Sequence, residues 1–132
     1  MVKSWLITAA ILARPPAVAP ATTVKELHQT MIKPASEAIF NVGREVPKTD
    51  EEWTAIARAG VTLAESGRRL MPGSPVRNDR RWIHLSRQLA AAGRTATRAA
   101  AARNLTALTR ASDRLVIVCE TCHAPYRSQT PK

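Results

Sequence analysis

The sequence predicts an all-α fold, an antiparallel bundle of four helices, and three observations point there. The chain is rich in alanine, leucine and arginine and poor in aromatic residues, with one Phe, one Tyr and three Trp, a balance that favours helices over sheets. Apolar residues recur at three-four spacing in four successive stretches, each marking one buried helix face. Short breaks separate the stretches, and short connections make consecutive helices antiparallel neighbours. The 132 residues suit one compact domain. No internal repeat, low-complexity tail or second domain is evident.

The first stretch runs from Thr22, with Val24, Leu27, Met31, Ala35, Ala38, Ile39 and Val42 on its face. Pro34 lacks a backbone donor and should bend this helix, which Gly43 closes and Pro47 confirms as ended. The second opens at TDEEW, where Thr49 and Glu52 have the spacing of a capping box and the acidic run suits the positive end of the helix dipole. Trp53, Ile56, Ala57, Gly60, Leu63, Ala64, Gly67, Leu70 and Met71 continue it to PGSP. Gly60 and Gly67 on that stripe imply that a neighbouring backbone or a bulky planar group comes close. Asn78 or Asp79 can cap a third helix, with Trp82, Leu85, Leu89, Ala92, Ala96 and Ala99 on its face, reaching about Arg103. Asn104 reads as a break or a new cap, and Leu105, Leu108, Ala111, Leu115, Val118 and Cys122 form the fourth face.

Residues 1–21 read differently. A lysine, the nine-residue apolar stretch WLITAAILA and an A-x-A spacing at Ala19 and Ala21 describe a secretory signal peptide. A stretch of that length is too short to span a bilayer, which needs about 20 residues. Pro15, Pro16 and Pro20 keep the segment out of any bundle. The expectation is export to the periplasm, with residues 22–132 as the folded domain and no stable membrane insertion after cleavage.

Both cysteines lie in LVIVCETCHAPYR, as Cys119 and Cys122, with His123 directly after. A structural zinc site needs four ligands, and the chain has no second cysteine pair and no H-x₃₋₅-H element. A thioredoxin-type dithiol sits where a strand meets a helix amino terminus, whereas this pair ends a helix in a chain without strands. Covalent haem attachment remains, for which C-x-x-C-H is the signature. Each thiol adds to one vinyl group of the porphyrin, and the adjacent histidine is held beneath the iron as a proximal ligand. One covalent haem c, bound through Cys119, Cys122 and His123, is therefore the expected cofactor, enclosed by the four helices.

With VKEL…IKPASEAIF, TDEEW and CETCHAPYR in place, residues 22 to 127 resemble the cytochrome c′ family and its low-spin class II relatives. The resemblance implies the four-helix bundle, thioethers at Cys119 and Cys122, His123 as axial ligand, and Tyr126 and Arg127 packed against the haem edge. It also implies that the opposite axial position comes from the first helix. Low-spin relatives carry a methionine after the KxL of that helix, and high-spin members present an apolar side chain and leave the iron open to small gases. Here KELHQ places His28 in that slot, with Met31 one turn further. His28, Met31 or no protein group remain as readings of the sixth position. His84 lies off the core stripe and is expected in solvent. Trp53, Trp82 and Met71 read as packing residues, and Arg127 either pairs with a haem propionate or is solvated.

The formal charge is +10, and loss of Lys3 and Arg14 with the leader leaves +8. The arginines are spread along the chain without interleaved aromatics or a recognition-helix motif, so nucleic acid is not the expected partner. The expectation is a single-haem electron carrier, not an enzyme, whose cationic surface steers encounters with an acidic docking patch on redox partner proteins. The alternative is a haem protein binding nitric oxide or carbon monoxide. Homodimerisation, common in the family, is a further possibility the resemblance carries.

Overall fold

The computed structural model describes residues 23–74 and 79–126. The expected leader, Asn78 and Arg127 lie outside them. Among the described residues the chain is helical with no strand, and its four long helices form an all-α bundle. Helix α1 begins at Val24–Leu27, passes through a π turn at His28–Ile32, and continues as Lys33–Phe40. A 3₁₀ turn at Asn41–Gly43 ends it. Helix α2 is Asp50–Leu70, α3 is Arg80–Ala101 and α4 is Leu105–Tyr126.

The helix starts are set by local chemistry. Thr23 accepts from the Glu26 N–H at 3.1 Å while the Glu26 carboxylate accepts the Thr23 N–H at 2.9 Å. The same reciprocal box joins Thr49 and Glu52 at α2. These bonds satisfy amide donors that have no partner within a helix. Asp79 caps α3 by accepting from the N–H groups of Arg81 and Trp82, at 2.9 and 3.1 Å.

The disturbance expected at Pro34 takes the form of a π turn. A proline ring crowds the carbonyl four residues back and leaves it without a donor. Just ahead of Pro34 the Lys33 N–H reaches five residues back to the His28 carbonyl, which adds a residue to the turn. The added residue advances the register of α1. His28 then shares a face with Val24 and Ile32, whereas Met31 turns toward α2, its sulfur 3.9 Å from the Arg69 guanidinium. The sequence stripe put His28 and Met31 on nearly the same side; the π turn separates them.

Between α3 and α4 the chain reverses without glycine. The Asn104 N–H bonds to the Ala99 carbonyl and the Arg103 N–H to the Ala100 carbonyl, both at 3.0 Å. These are the paired bonds of a Schellman turn, and they require Arg103 at φ 51°. Asn104 then caps α4 by accepting from the Ala107 N–H at 2.9 Å.

Ile39, Leu63, Leu108 and Leu115 are the large residues at the centre of the core, each contributing about 1.5–3 kcal/mol by leaving water. The tightest contact lies between α2 and α3. A Cβ on Gly60 would lie 2.7 Å from the Gly93 carbonyl oxygen, and one on Gly67 2.6 Å from the Ser86 oxygen. A Cβ on Gly93 would sit 2.5 Å from the Ala64 nitrogen. The object that approaches Gly60 and Gly67 is therefore the α3 backbone. Trp82 locks the same pair, donating from its indole to the Leu70 carbonyl at 2.6 Å.

Two stability measurements check this account. Gly93→Ala should destabilise the fold by about 1–3 kcal/mol in denaturant titration, because backbone rather than a flexible side chain must yield. Arg103→Gly should stabilise it by roughly 0.5–1 kcal/mol, since glycine adopts positive φ without a Cβ clash. The pair that Arg103 makes with Asp50 is exposed and offsets little of that gain.

Candidate functional site

A cavity of about 320 Å³ opens between α1, α3 and α4. From α1 it receives Val24, Lys25, His28, Gln29 and Ile32; from α3, Trp82, Leu85, Ser86 and Leu89. Helix α4 contributes Val118, Cys119, Cys122, His123 and Tyr126, and α2 contributes Leu70. Three-four spacing explains each set, because residues so spaced share one face of a helix. The walls are largely apolar with a few convergent polar groups, and the volume falls within the range of about 300–1,000 Å³ typical of ligand sites.

Both thiols, His123 and Tyr126 thus come to one cavity, and His28 meets them from the opposite helix. The His28 and His123 rings lie 5.4 Å apart between centroids, tilted by 51°. Burial lowers the His28 pKa, and the nearby His123 and Lys33 lower it further. These effects favour the neutral form of His28, the form that can donate a nitrogen lone pair.

Neither thiol is tuned for nucleophilic redox work. Burial pushes Cys119 up to about 11, with Cys122 and Glu120 adding to the effect. Burial also raises Cys122. A reactive dithiol requires the opposite shift. Ser36, only 5% exposed, lies near enough to Cys119 to draw its pKa slightly back, yet its hydroxyl makes no well-formed hydrogen bond. Among the described residues no group of three His, Cys, Asp or Glu side chains is arranged to hold a metal ion by itself.

Tyr126 closes the cavity at the end of α4. Its ring stands edge-on to Trp82 with centroids 5.0 Å apart, and its hydroxyl donates to the second carboxylate oxygen of Asp79. Asp79 therefore joins the α3 cap to the end of α4. Tyr126 was singled out in the sequence; Asp79 was seen only as a possible cap, because a contact spanning 47 residues leaves no local signal. Lys25, Gln29 and Ser86 also line the cavity and carry no sequence signal, being polar positions beside an apolar stripe. His84 is exposed, as its spacing predicted, and Met31 does not line the cavity. No helix among the described residues is long and apolar enough to cross a membrane.

Compared with protein-family models, curated proteins and solved structures, the chain finds no match.

Tyr126 is the one tyrosine of the chain, so phenolate absorbance reports this contact alone. Burial first, then the bond to Asp79 and that residue's charge, together raise its pKa to about 12. A folded value above the ordinary one, about 10, means that the contact's contribution to stability is complete below that pH and lost as pH climbs through the folded value. An alkaline titration should place the midpoint near 12, and Asp79→Asn should move it down toward the ordinary range. An unchanged midpoint in Asp79→Asn would remove the carboxylate from this role.

Proposed function

We propose that the cavity holds one covalently attached haem c and that the protein is a periplasmic electron carrier related to the cytochrome c′ family. The observation that carries this reading is the convergence of Cys119, Cys122 and His123 on one apolar cavity, with a second imidazole, His28, facing them from α1. The donor set fits the group. Two thiols on one helix face can each add across a vinyl double bond, forming a sulfur–carbon bond while the proton goes to the neighbouring carbon. No oxidant is consumed. His123 and His28, with ring centroids 5.4 Å apart across the cavity, are the residues that would supply nitrogen donors to the haem iron.

The bound haem would supply reversible one-electron chemistry at iron. The chain's own residues would set its conditions. His123 would bind the iron from α4, and His28, whose neutral form burial favours, would bind it from α1. Met31 is directed at Arg69, which favours His28 over the thioether. A pair of imidazoles gives a lower potential than imidazole with thioether. Ile32, Leu70, Trp82, Leu85, Leu89 and Val118 exclude water from the ring faces, and the half-buried Tyr126 covers one edge. Lys25 stands at the rim as a cation suited to a propionate. With both histidines bound, the site would favour electron transfer over gas binding.

Protein from an exporting host with a c-type maturation system should show a low-spin spectrum that carbon monoxide does not change. His28→Ala should turn it high-spin and carbon-monoxide-reactive, and His28→Met should stay low-spin with a raised potential. A high-spin wild type that binds carbon monoxide would transfer the assignment to gas binding. A colourless, stably folded wild type would end the haem reading.

A further inference from the structure

Helix α3 carries five arginines and no carboxylate. Four of these, Arg80, Arg87, Arg94 and Arg98, recur with His84 and Ala91 at alternating three- and four-residue steps. That spacing aligns them within about 40° on one face. The four arginines and His84 are exposed, and the row spans roughly 27 Å at 1.5 Å per residue. Along the chain the arginines look scattered; in the folded helix they form one edge.

This row borders a groove of about 360 Å³ between α2 and α3, lined by Val61, Ala64, Arg68, Arg94, Thr97 and Arg98. The groove is shallow because Gly60 and Gly93 bring the two backbones together beneath it. Its apolar centre is unusual for so charged a surface: Val61 is 57% exposed among three guanidiniums. Arg68 is paired with Glu65. Among the described residues Arg94 and Arg98 make no ion pair, although Arg98 contacts the Thr95 hydroxyl at 3.4 Å.

We propose that this groove is a docking surface for an acidic protein segment that brings one apolar side chain flanked by carboxylates. An apolar centre rimmed by arginine is the anatomy of a protein–protein hot spot. Guanidinium forks match carboxylates in paired geometry. The exposed row has no aromatic platform for stacking bases, and α3 turns its apolar face into the core, leaving no wedge for a lipid surface. The groove's α3 residues, 94 to 98, lie beyond the cavity's, 82 to 89, so a docked partner leaves the cavity mouth uncovered. The surface stands whatever the cavity holds; only the identification of the partner as a redox protein rests on the haem reading.

The test uses the mature full chain and a fluorescent synthetic helical peptide bearing a central leucine between glutamates. Arg94→Gln with Arg98→Gln should weaken binding about tenfold, as should Val61→Ser. Arg110→Gln with Arg114→Gln removes the same charge from exposed positions on α4 and should weaken it less than about threefold. A peptide with serine in place of leucine should bind about tenfold less tightly, and salt should weaken all binding. Equal losses in the two double variants would overturn the proposal, as would indifference to the leucine. Tighter binding of a duplex oligonucleotide or of phosphatidylglycerol vesicles at the same groove would also overturn it. Haem content is measured on the same samples, so loss of the docking result and loss of the haem result are read separately.

Discussion

The close approach of α2 and α3 is the constraint on which the rest of the molecule depends. Gly60, Gly67 and Gly93 let the two backbones nearly touch, and the Trp82 indole bond to Leu70 fixes their relative height. Contact at that distance leaves no room for large side chains between the pair. The remaining core volume falls on the other side of the bundle, where α1 and α4 face α3 across the cavity. The same contact makes the outer α2–α3 groove shallow and presents Val61 and the arginines at its surface. One packing event therefore shapes both surfaces on which function is proposed.

The cavity is held from its two ends. At one, the π turn rotates α1 so that His28, not Met31, faces inward. At the other, the Tyr126–Asp79 bond and the edge-on contact with Trp82 tie the end of α4 to the start of α3. Cys119, Cys122 and His123 sit in the turns just before that tie, so their direction is fixed by it. The facing of His28 and His123 depends on these restraints, because the two rings come from the first and last helices of the bundle.

Much of this was legible in the sequence. The four helices, the capping box at Thr49, the Asn104 break and the exposed His84 followed from local patterns that need no tertiary information; the matching box at Thr23 has the same spacing and was passed over. Gly60 and Gly67 announced a close neighbour but could not say what it was; the answer, the α3 backbone, required Gly93, which hides within an alanine-rich run. The π turn was beyond reach, because Pro34 signals a disturbance without saying whether the helix kinks, breaks or adds a residue. That choice decides which of His28 and Met31 meets the cavity. The Asp79–Tyr126 contact and the arginine edge of α3 were hidden for a related reason: one spans distant residues, and the other is clear only once the helix is wound.

The central claim is that the cavity is built around a covalently held haem. Intact-mass spectrometry of protein matured in an exporting host tests it most directly. The account predicts a gain equal to one haem, retained under denaturing conditions and traced after proteolysis to the peptide containing Cys119 and Cys122. An unmodified mass, with both thiols free in a folded chain from that same host, would contradict it.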